Sequence, residues 1–175
     1  MIADGSDPFV CLIEDDISLR STVIDFLDKE ALRALPPFDI LRLYSLPWRQ
    51  KKRAWHHSDI AGHAVVVPIK SSYGTQAQIY SRAGAAKVAN LSISAPIDCM
   101  LYEEAPAGLR IFEARPSLCA HLDRDFISSI PNVARDPSLH RTWSKIYRPL
   151  MPRIHFWRTW GARGIAGLVR SPYIP

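Results

Sequence analysis

Three consecutive acidic residues, Glu14-Asp15-Asp16, follow directly on the apolar segment Phe9–Ile13 and are the part of this sequence best suited to chemistry. A short apolar run of this kind is typical of a strand buried on both faces of a parallel sheet. In such sheets ligands bind beyond the carboxyl ends of the strands. Adjacent carboxylates repel each other unless a cation or a donor lies among them, and Mg²⁺ and Mn²⁺ prefer oxygen ligands. The segment therefore predicts a metal site; in the alternative interpretation, one acid caps the following helix and the others are solvated.

The elements that must position these acids alternate between strands and helices. Apolar residues between Val23 and Leu35 recur at helical spacing, and Pro36-Pro37 ends that helix. We further predict strands at Asp39–Leu46, His63–Ile69, Gln78–Ser81 and from Leu109 to Ala114, helices at Arg82–Leu91 and Pro96–Glu104, and a loop at Trp48–Asp59. This alternation predicts an α/β fold with a largely parallel sheet.

The overall composition is that of a globular protein. The 175 residues are 47% hydrophobic and 22% charged, with a mean hydropathy of −0.06, which excludes a disordered chain, a collagen-like repeat and a polytopic membrane protein. The length predicts a single main domain. The three cysteines form no CxxC pair and the first residues lack the features of a signal peptide. We therefore expect a reduced, cytoplasmic protein.

The carboxyl-terminal segment, residues 141–175, differs from the rest of the chain in charge. It has seven Lys and Arg residues, no Asp or Glu, and six aromatic residues, whereas residues 1–140 hold the remaining 15 basic and all 17 acidic groups. We expect a body at 1–140 and a basic aromatic tail whose Pro and Gly residues interrupt long helices, so that it is a docking segment or poorly ordered. Its charge predicts contact with an anionic membrane at the inner face of the cytoplasmic membrane; in the alternative, its aromatics pack on the body and its arginines are solvated. Nucleic acid is not an expected partner, because no reader motif accompanies these residues.

Several segments in a fixed order resemble glycosyltransferase family 25, which includes bacterial lipopolysaccharide galactosyltransferases and collagen galactosyltransferases. The first is the acidic segment IEDDISL, which is similar to the family's [L/F]EDD motif. The others are FDILRLYSL, YGTQAQIYSR with the alanine-rich AGAAKVA after it, PIDCML and RPSL. The resemblance covers residues 9 to about 130, and it departs from the family's pattern at Gln78, where members commonly have an aromatic residue.

The resemblance implies a GT-A-like (Rossmann-like) fold that uses a nucleotide-sugar donor, usually with a divalent metal. Family members usually have a V-I-N-L strand and an Arg pair some 80 or more residues upstream of the acidic motif. This chain has only 13 residues before Glu14. We therefore expect a partial GT-A-like fold that corresponds to the carboxyl-terminal part of the catalytic domain.

The resemblance also assigns roles to individual residues. Asp15 and Asp16 would bind Mn²⁺ or Mg²⁺, with Glu14 and Asp15 in contact with the donor. His121 would complete the metal shell, because imidazole suits Mn²⁺ better than Mg²⁺; in the alternative, it is a surface histidine. The segment Tyr73-Gly74-Thr75 would form a turn in which the backbone approaches the sugar or diphosphate, and in the alternative it is an ordinary turn.

Asp98 is the candidate catalytic residue. Its carboxylate would deprotonate the acceptor hydroxyl in an inverting displacement, or bind acceptor hydroxyls; in the alternative, it stabilises a helix N-terminus. Together these roles predict a transferase that moves a hexose, with galactose as first candidate, from a UDP-sugar to a saccharide or lipid-linked saccharide of lipopolysaccharide or another surface glycan. The alternative is a non-catalytic remnant, or a glycan- or nucleotide-binding protein of the same fold.

Overall fold

The computed structural model describes residues 6–70, 75–91, 97, 101, 108–122 and 141–173. Both helices and strands are present, which confirms the predicted α/β character. The strands are β1 Phe9–Ile13, β2 Ile17–Leu19, β3 Ile40–Arg42, β4 Ala54–Ile60, β5 His63–Pro68, β6 Ala77–Ser81, β7 Ile111–Arg115, β8 Cys119–His121 and β9 Pro172–Tyr173. The helices are α1 Val23–Phe26, α2 Lys29–Ala34, α3 Pro47–Gln50, α4 Arg82–Ala89 and α5 Arg141–Arg170.

Seven of the strands form one sheet in the order β1-β6-β3-β7-β5-β4-β9, and β2 pairs with β8 in a separate ribbon. In the described sheet only β3 and β7 pair in parallel, so the expectation of a largely parallel sheet was wrong. One reason is the β4–β5 hairpin, whose turn residues Ala61 and Gly62 both have positive φ, as a two-residue hairpin turn requires. The predicted loop at Trp48–Asp59 is instead α3 and most of β4.

Strand β1 lies at one end of the sheet order. It pairs with β6 from Phe9 to Ile13, and no other described strand pairs with it. Leu12 and Ile13 are 44% and 45% exposed. The bounds of the predicted strand were right. The expectation that it is buried on both faces was wrong, because a run of apolar residues does not determine how many other elements pack against the strand.

The predicted helix between Val23 and Leu35 is divided into α1 and α2. Asp28 separates them, and its carboxylate accepts a hydrogen bond of 2.8 Å from the backbone N–H of Ala31 at the start of α2. A side chain that caps a helix N-terminus satisfies a backbone donor that has no partner within the helix. The apolar spacing therefore continues through two short helices that share a buried side.

The sheet has a packed layer on each face. On the main face, α1 and α2 cover the apolar residues Leu41, Val65, Ile79 and Phe112, and all four are buried. On the other face a smaller cluster surrounds Ile40, Tyr80, Ala85, Leu101 and Leu109. Successive residues of a strand point to opposite faces of the sheet. Accordingly, Leu41 belongs to the cluster on the main face and Ile40 to the smaller cluster on the other face.

The described residues 141–173 hold one long helix and a short strand, although Pro and Gly residues were expected to interrupt long helices in this segment. Helix α5 spans Arg141–Arg170 with an interruption at Gly161, where φ is 53° and ψ is −143°. Phe156 is buried in the main core, and the ring of Trp160 lies 5.5 Å from that of Phe112 and 5.7 Å from that of Trp55. After α5, β9 pairs with β4. The predicted alternative, in which aromatic residues of this segment pack on the body, is therefore right for Phe156 and Trp160.

Among the described helices, none combines the length and apolar character needed to cross a bilayer.

The close approach of α4 to β3 depends on Gly84. A Cβ atom placed on Gly84 would lie 2.0 Å from the carbonyl oxygen of Asp39, which is backbone and cannot swing away. We expect Gly84→Ala to lower the free energy of unfolding by about 2 kcal/mol through overpacking, although alanine in a helix otherwise gains about 1 kcal/mol over glycine. Urea denaturation measures the change.

Ala83→Gly is the matched control for this prediction, because Ala83 is exposed in the same turn of α4. It should lose only the helix propensity, about 1 kcal/mol. If Gly84→Ala were as stable as the parent chain or more stable, α4 would not approach Asp39 as described.

Candidate functional site

Three strands bring their carboxyl ends to one edge of the sheet. β1 and β3 are both antiparallel to β6, and β3 is parallel to β7, so β1, β3 and β7 run in the same direction. Backbone bonds connect this edge: the N–H of Glu14, after β1, donates to the carbonyl of Gln76, just before β6, at 2.8 Å, and the N–H of Leu118, after β7, donates to the carbonyl of Leu43, after β3, at 2.8 Å. The acids therefore lie at the edge where open sheets with parallel strands bind ligands.

The side chains of Glu14 and Thr75 are in direct contact. The Thr75 hydroxyl donates a hydrogen bond to a carboxylate oxygen of Glu14 across 61 positions of sequence. Both side chains are half-buried, whereas Asp15 is exposed. Two residues that were predicted to serve one ligand, from separate segments, are thus neighbours.

None of the three acids caps the helix that follows them. Helix α1 begins after Thr22 and has no side-chain cap, and the carboxylate that caps α2 belongs to Asp28. The capping alternative for this acidic segment was therefore wrong. The metal interpretation stays a prediction.

The ribbon of β2 and β8 brings the backbone of His121, a predicted metal ligand, next to the acidic segment. Ile17 pairs with His121, and the N–H of Leu122 donates to the carbonyl of Asp16 at 2.8 Å. The side chain of His121 lies outside the described part of the structure, as do Asp98, Tyr73 and Gly74 altogether. The backbone alone therefore places His121 beside Asp16.

The carboxylates of Asp15 and Asp16 suit a hard cation by the chemistry of their oxygens. Among the described residues, however, no group of three or more His, Cys, Asp or Glu side chains forms a ready cation site. Mg²⁺ is commonly held by one or two carboxylates together with substrate phosphates and water. The donor set thus fits an ion that binds together with a diphosphate.

Two thiols close to this region are held in the neutral form. Burial raises the pKa of Cys119 to about 11, assisted by the nearby Cys11 and opposed by Arg20. Burial also raises the pKa of Cys11. The thiolate is the form that binds metals and attacks electrophiles, and the raised pKa of each thiol disfavours that form near neutral pH.

A row of buried polar side chains crosses the sheet just inside this edge, and sequence reasoning did not select it. Arg42 of β3 stands opposite Gln78 of β6 and Glu113 of β7, and each is at most 1% exposed. Glu113 pairs with Arg115 at 3.0 Å, and the Tyr80 hydroxyl donates to Gln78 at 2.6 Å. Buried charge is costly unless it is paired. The sequence feature that could have identified this row is a charged residue between apolar residues of a strand, which is Arg42 in LRL and Glu113 in IFEAR.

Comparison with known protein families and with curated proteins finds no match for this sequence.

The contact between Thr75 and Glu14 can be measured by mutation. Thr75→Val keeps the shape of the side chain and removes the donor, so we expect the free energy of unfolding to fall by about 1 kcal/mol. Thr75→Ser keeps the hydroxyl and serves as the control. In a Glu14→Ala background, the effect of Thr75→Val should be much smaller, because the partner is gone. Equal effects in both backgrounds would show that the two side chains do not interact.

The raised pKa of Cys119 predicts a dependence of stability on pH. The unfolded chain releases this thiol proton near pH 9 and the folded chain near pH 11, so the free energy of unfolding should fall as pH rises through that range. Cys119→Ala should reduce the fall by roughly 2 kcal/mol, since each pKa unit corresponds to 1.36 kcal/mol.

Denaturation in urea at several pH values between 8 and 11 measures this dependence. Ser18→Ala is the control, because Ser18 lies opposite β8 in the same ribbon and does not titrate in this range. A Cys119→Ala protein that loses as much stability as the parent chain over this range would contradict the assignment.

Proposed function

We propose that this protein is a nucleotide-sugar glycosyltransferase of the family 25 type with a GT-A-like fold. The observation that carries the proposal is that separate segments of the resemblance meet at one edge of the sheet. The acidic segment at Glu14, the segment at Thr75 and the strand that ends at His121 are joined there by one side-chain contact and by backbone hydrogen bonds. A shared ligand site requires such convergence of segments that are far apart in the sequence.

Asp15 and Asp16 would bind Mn²⁺ or Mg²⁺ together with the diphosphate of a UDP-sugar. The bound ion would neutralise charge on the departing nucleotide. Glu14 would orient the acidic segment, since its carboxylate is held by the Thr75 hydroxyl. The backbone at Tyr73 and Gly74 would lie against the donor.

The proton of the acceptor hydroxyl would pass to the carboxylate of Asp98, which acts as general base as the hydroxyl oxygen attacks the anomeric carbon. The transferred group is a hexose, for which galactose is the first candidate. The acceptor is a sugar hydroxyl of lipopolysaccharide or another surface glycan that is assembled on the cytoplasmic side of a membrane.

A second candidate function is a non-catalytic glycan- or nucleotide-binding protein of the same fold. Two observations favour it. Strand β1, which precedes the acids, has a neighbouring strand on one side only in the described sheet, so the acidic segment has no second strand beside it there. In addition, no three metal-binding side chains cluster together among the described residues. The two functions differ in whether UDP-sugar is consumed. Release of UDP from UDP-galactose in the presence of an acceptor glycan distinguishes them.

Binding of metal and nucleotide tests the site itself. Mn²⁺ with UDP should raise the melting temperature, because a ligand at 100 times its Kd stabilises the folded state by about 2.7 kcal/mol. The double variant Asp15→Asn/Asp16→Asn should abolish the increase. Differential scanning fluorimetry with and without Mn²⁺ and UDP measures it.

The matched control is Asp7→Asn/Asp25→Asn, which removes two exposed carboxylates away from the acidic segment. It should keep the full increase. Equal stabilisation of the parent chain and of the Asp15/Asp16 variant would remove these acids from the site. A parent chain that is not stabilised at all would argue against a metal-dependent UDP-sugar enzyme.

A further inference from the structure

In the part of α5 whose side chains the structure describes, residues 150 and 152–170, there are two apolar faces, and one of them is packed on the sheet. Phe156 and Trp160 point into the core. On another face Leu150, Ile154 and Trp157 recur at spacings of four and three residues, so that they form one stripe along the helix. These three side chains are 48%, 40% and 53% exposed. A helix packed on a globular protein ordinarily presents polar residues on its outer face.

The exposed stripe borders a groove of about 420 Å³. The interruption at Gly161 divides α5 into two parts, and both parts line the groove. Ile165 and Leu168 come from the second part and Ile69 from the end of β5. The volume is within the range of sites that take small apolar ligands, roughly 300–1,000 Å³.

The charged side chains that the structure describes in the lining of the groove all have one sign. Arg153 and Arg158 line the groove, and both are exposed, as are Arg163 and Arg170 further along the helix. Residues 141–175 contain no Asp or Glu. A second copy of the chain docked by the same surface would bring these arginines together without acidic partners in the segment. The charge therefore disfavours self-association and matches an anionic surface.

We propose that the surface formed by Leu150, Ile154, Trp157, Arg153 and Arg158, here called the α5 patch, docks on an anionic lipid bilayer. The apolar side chains enter the boundary between headgroups and acyl chains, and the groove receives part of an acyl chain. Trp157 lies at headgroup depth, which is where indole rings are enriched. Arg153 and Arg158 keep their guanidinium groups among lipid phosphates while their stems lie along apolar surface. This proposal does not depend on the proposed enzymatic activity.

Cosedimentation of the full chain with vesicles tests the proposal. The chain should bind vesicles of phosphatidylglycerol and phosphatidylcholine, bind vesicles of phosphatidylcholine alone much more weakly, and lose affinity as salt is raised. Arg153→Gln/Arg158→Gln should weaken binding roughly 30-fold, because each basic group near an anionic surface contributes about 1 kcal/mol. Ile154→Ser/Trp157→Ser should abolish detectable binding.

Ile24→Ser is the matched control, since Ile24 is an apolar residue that is 77% exposed on α1, away from the α5 patch. It should bind as the parent chain does. Circular dichroism and melting temperature verify that each variant is folded, and the arginine variant alters no packed side chain. Absence of binding at low salt, or equal binding by the parent chain and the α5 variants, would overturn the proposal. Dimerisation in sedimentation velocity that Ile154→Ser/Trp157→Ser removes would also overturn it and assign the patch to a second copy.

Discussion

The register of β6 against its two neighbours is the constraint on which the rest of the structure depends. β6 pairs with β1 on one side and with β3 on the other, and both pairings are antiparallel. The two outer strands consequently run in the same direction and end at the same edge. Ile79 lies in the main core while Gln78 lies in the buried polar row. A slip by one residue would exchange these side chains between faces, so packing specifies the register. The position of Glu14 beside Gln76 and Thr75 follows from it.

The opposite end of β3 is held by a buried carboxylate. Asp39 is fully buried and accepts hydrogen bonds from the Lys87 ammonium at 2.8 Å and from the backbone N–H of Arg110 at 2.7 Å. A buried charge is tolerated when such partners replace water. These bonds tie α4 and the residues before β7 to the amino-terminal end of β3. These contacts hold β3 in place between β6 and β7, with which it pairs on its two sides.

The parts of this fold that could be predicted from sequence are those with local causes. The apolar runs located β1, β5, β6 and β7, and the alanine-rich segment located α4. Strand β4 was missed because its middle residues are polar and only partly buried, and without β4 the hairpin that makes the sheet antiparallel there was not visible. The acids follow the carboxyl end of β1 as predicted, because that position depends only on where the strand ends, and their role at a ligand site stays a prediction. The row of Arg42, Gln78 and Glu113 depends on the register between strands that are far apart in sequence, so no local pattern contains it.

The strand order separates the two charged regions of the molecule. The acidic segment follows β1 at one end of the sheet order, whereas α5 packs on β4 and β7 through Trp160 and leads into β9 at the other end. Five strand spacings lie between β1 and β4, roughly 24 Å at about 4.8 Å per spacing. Exposed charges farther apart than a Debye length, about 8 Å at physiological salt, are largely screened, so arginines of α5 that lie near β4 do little to offset the repulsion between the acids and an anionic nucleotide. A cation bound together with the nucleotide would have to supply that compensation locally. Conversely, a membrane bound at α5 would leave the acidic edge open to water and to soluble donors. The proposed ligand site therefore adjoins β1, whereas the proposed lipid surface lies on the helix that leads into β9 at the other end of the strand order.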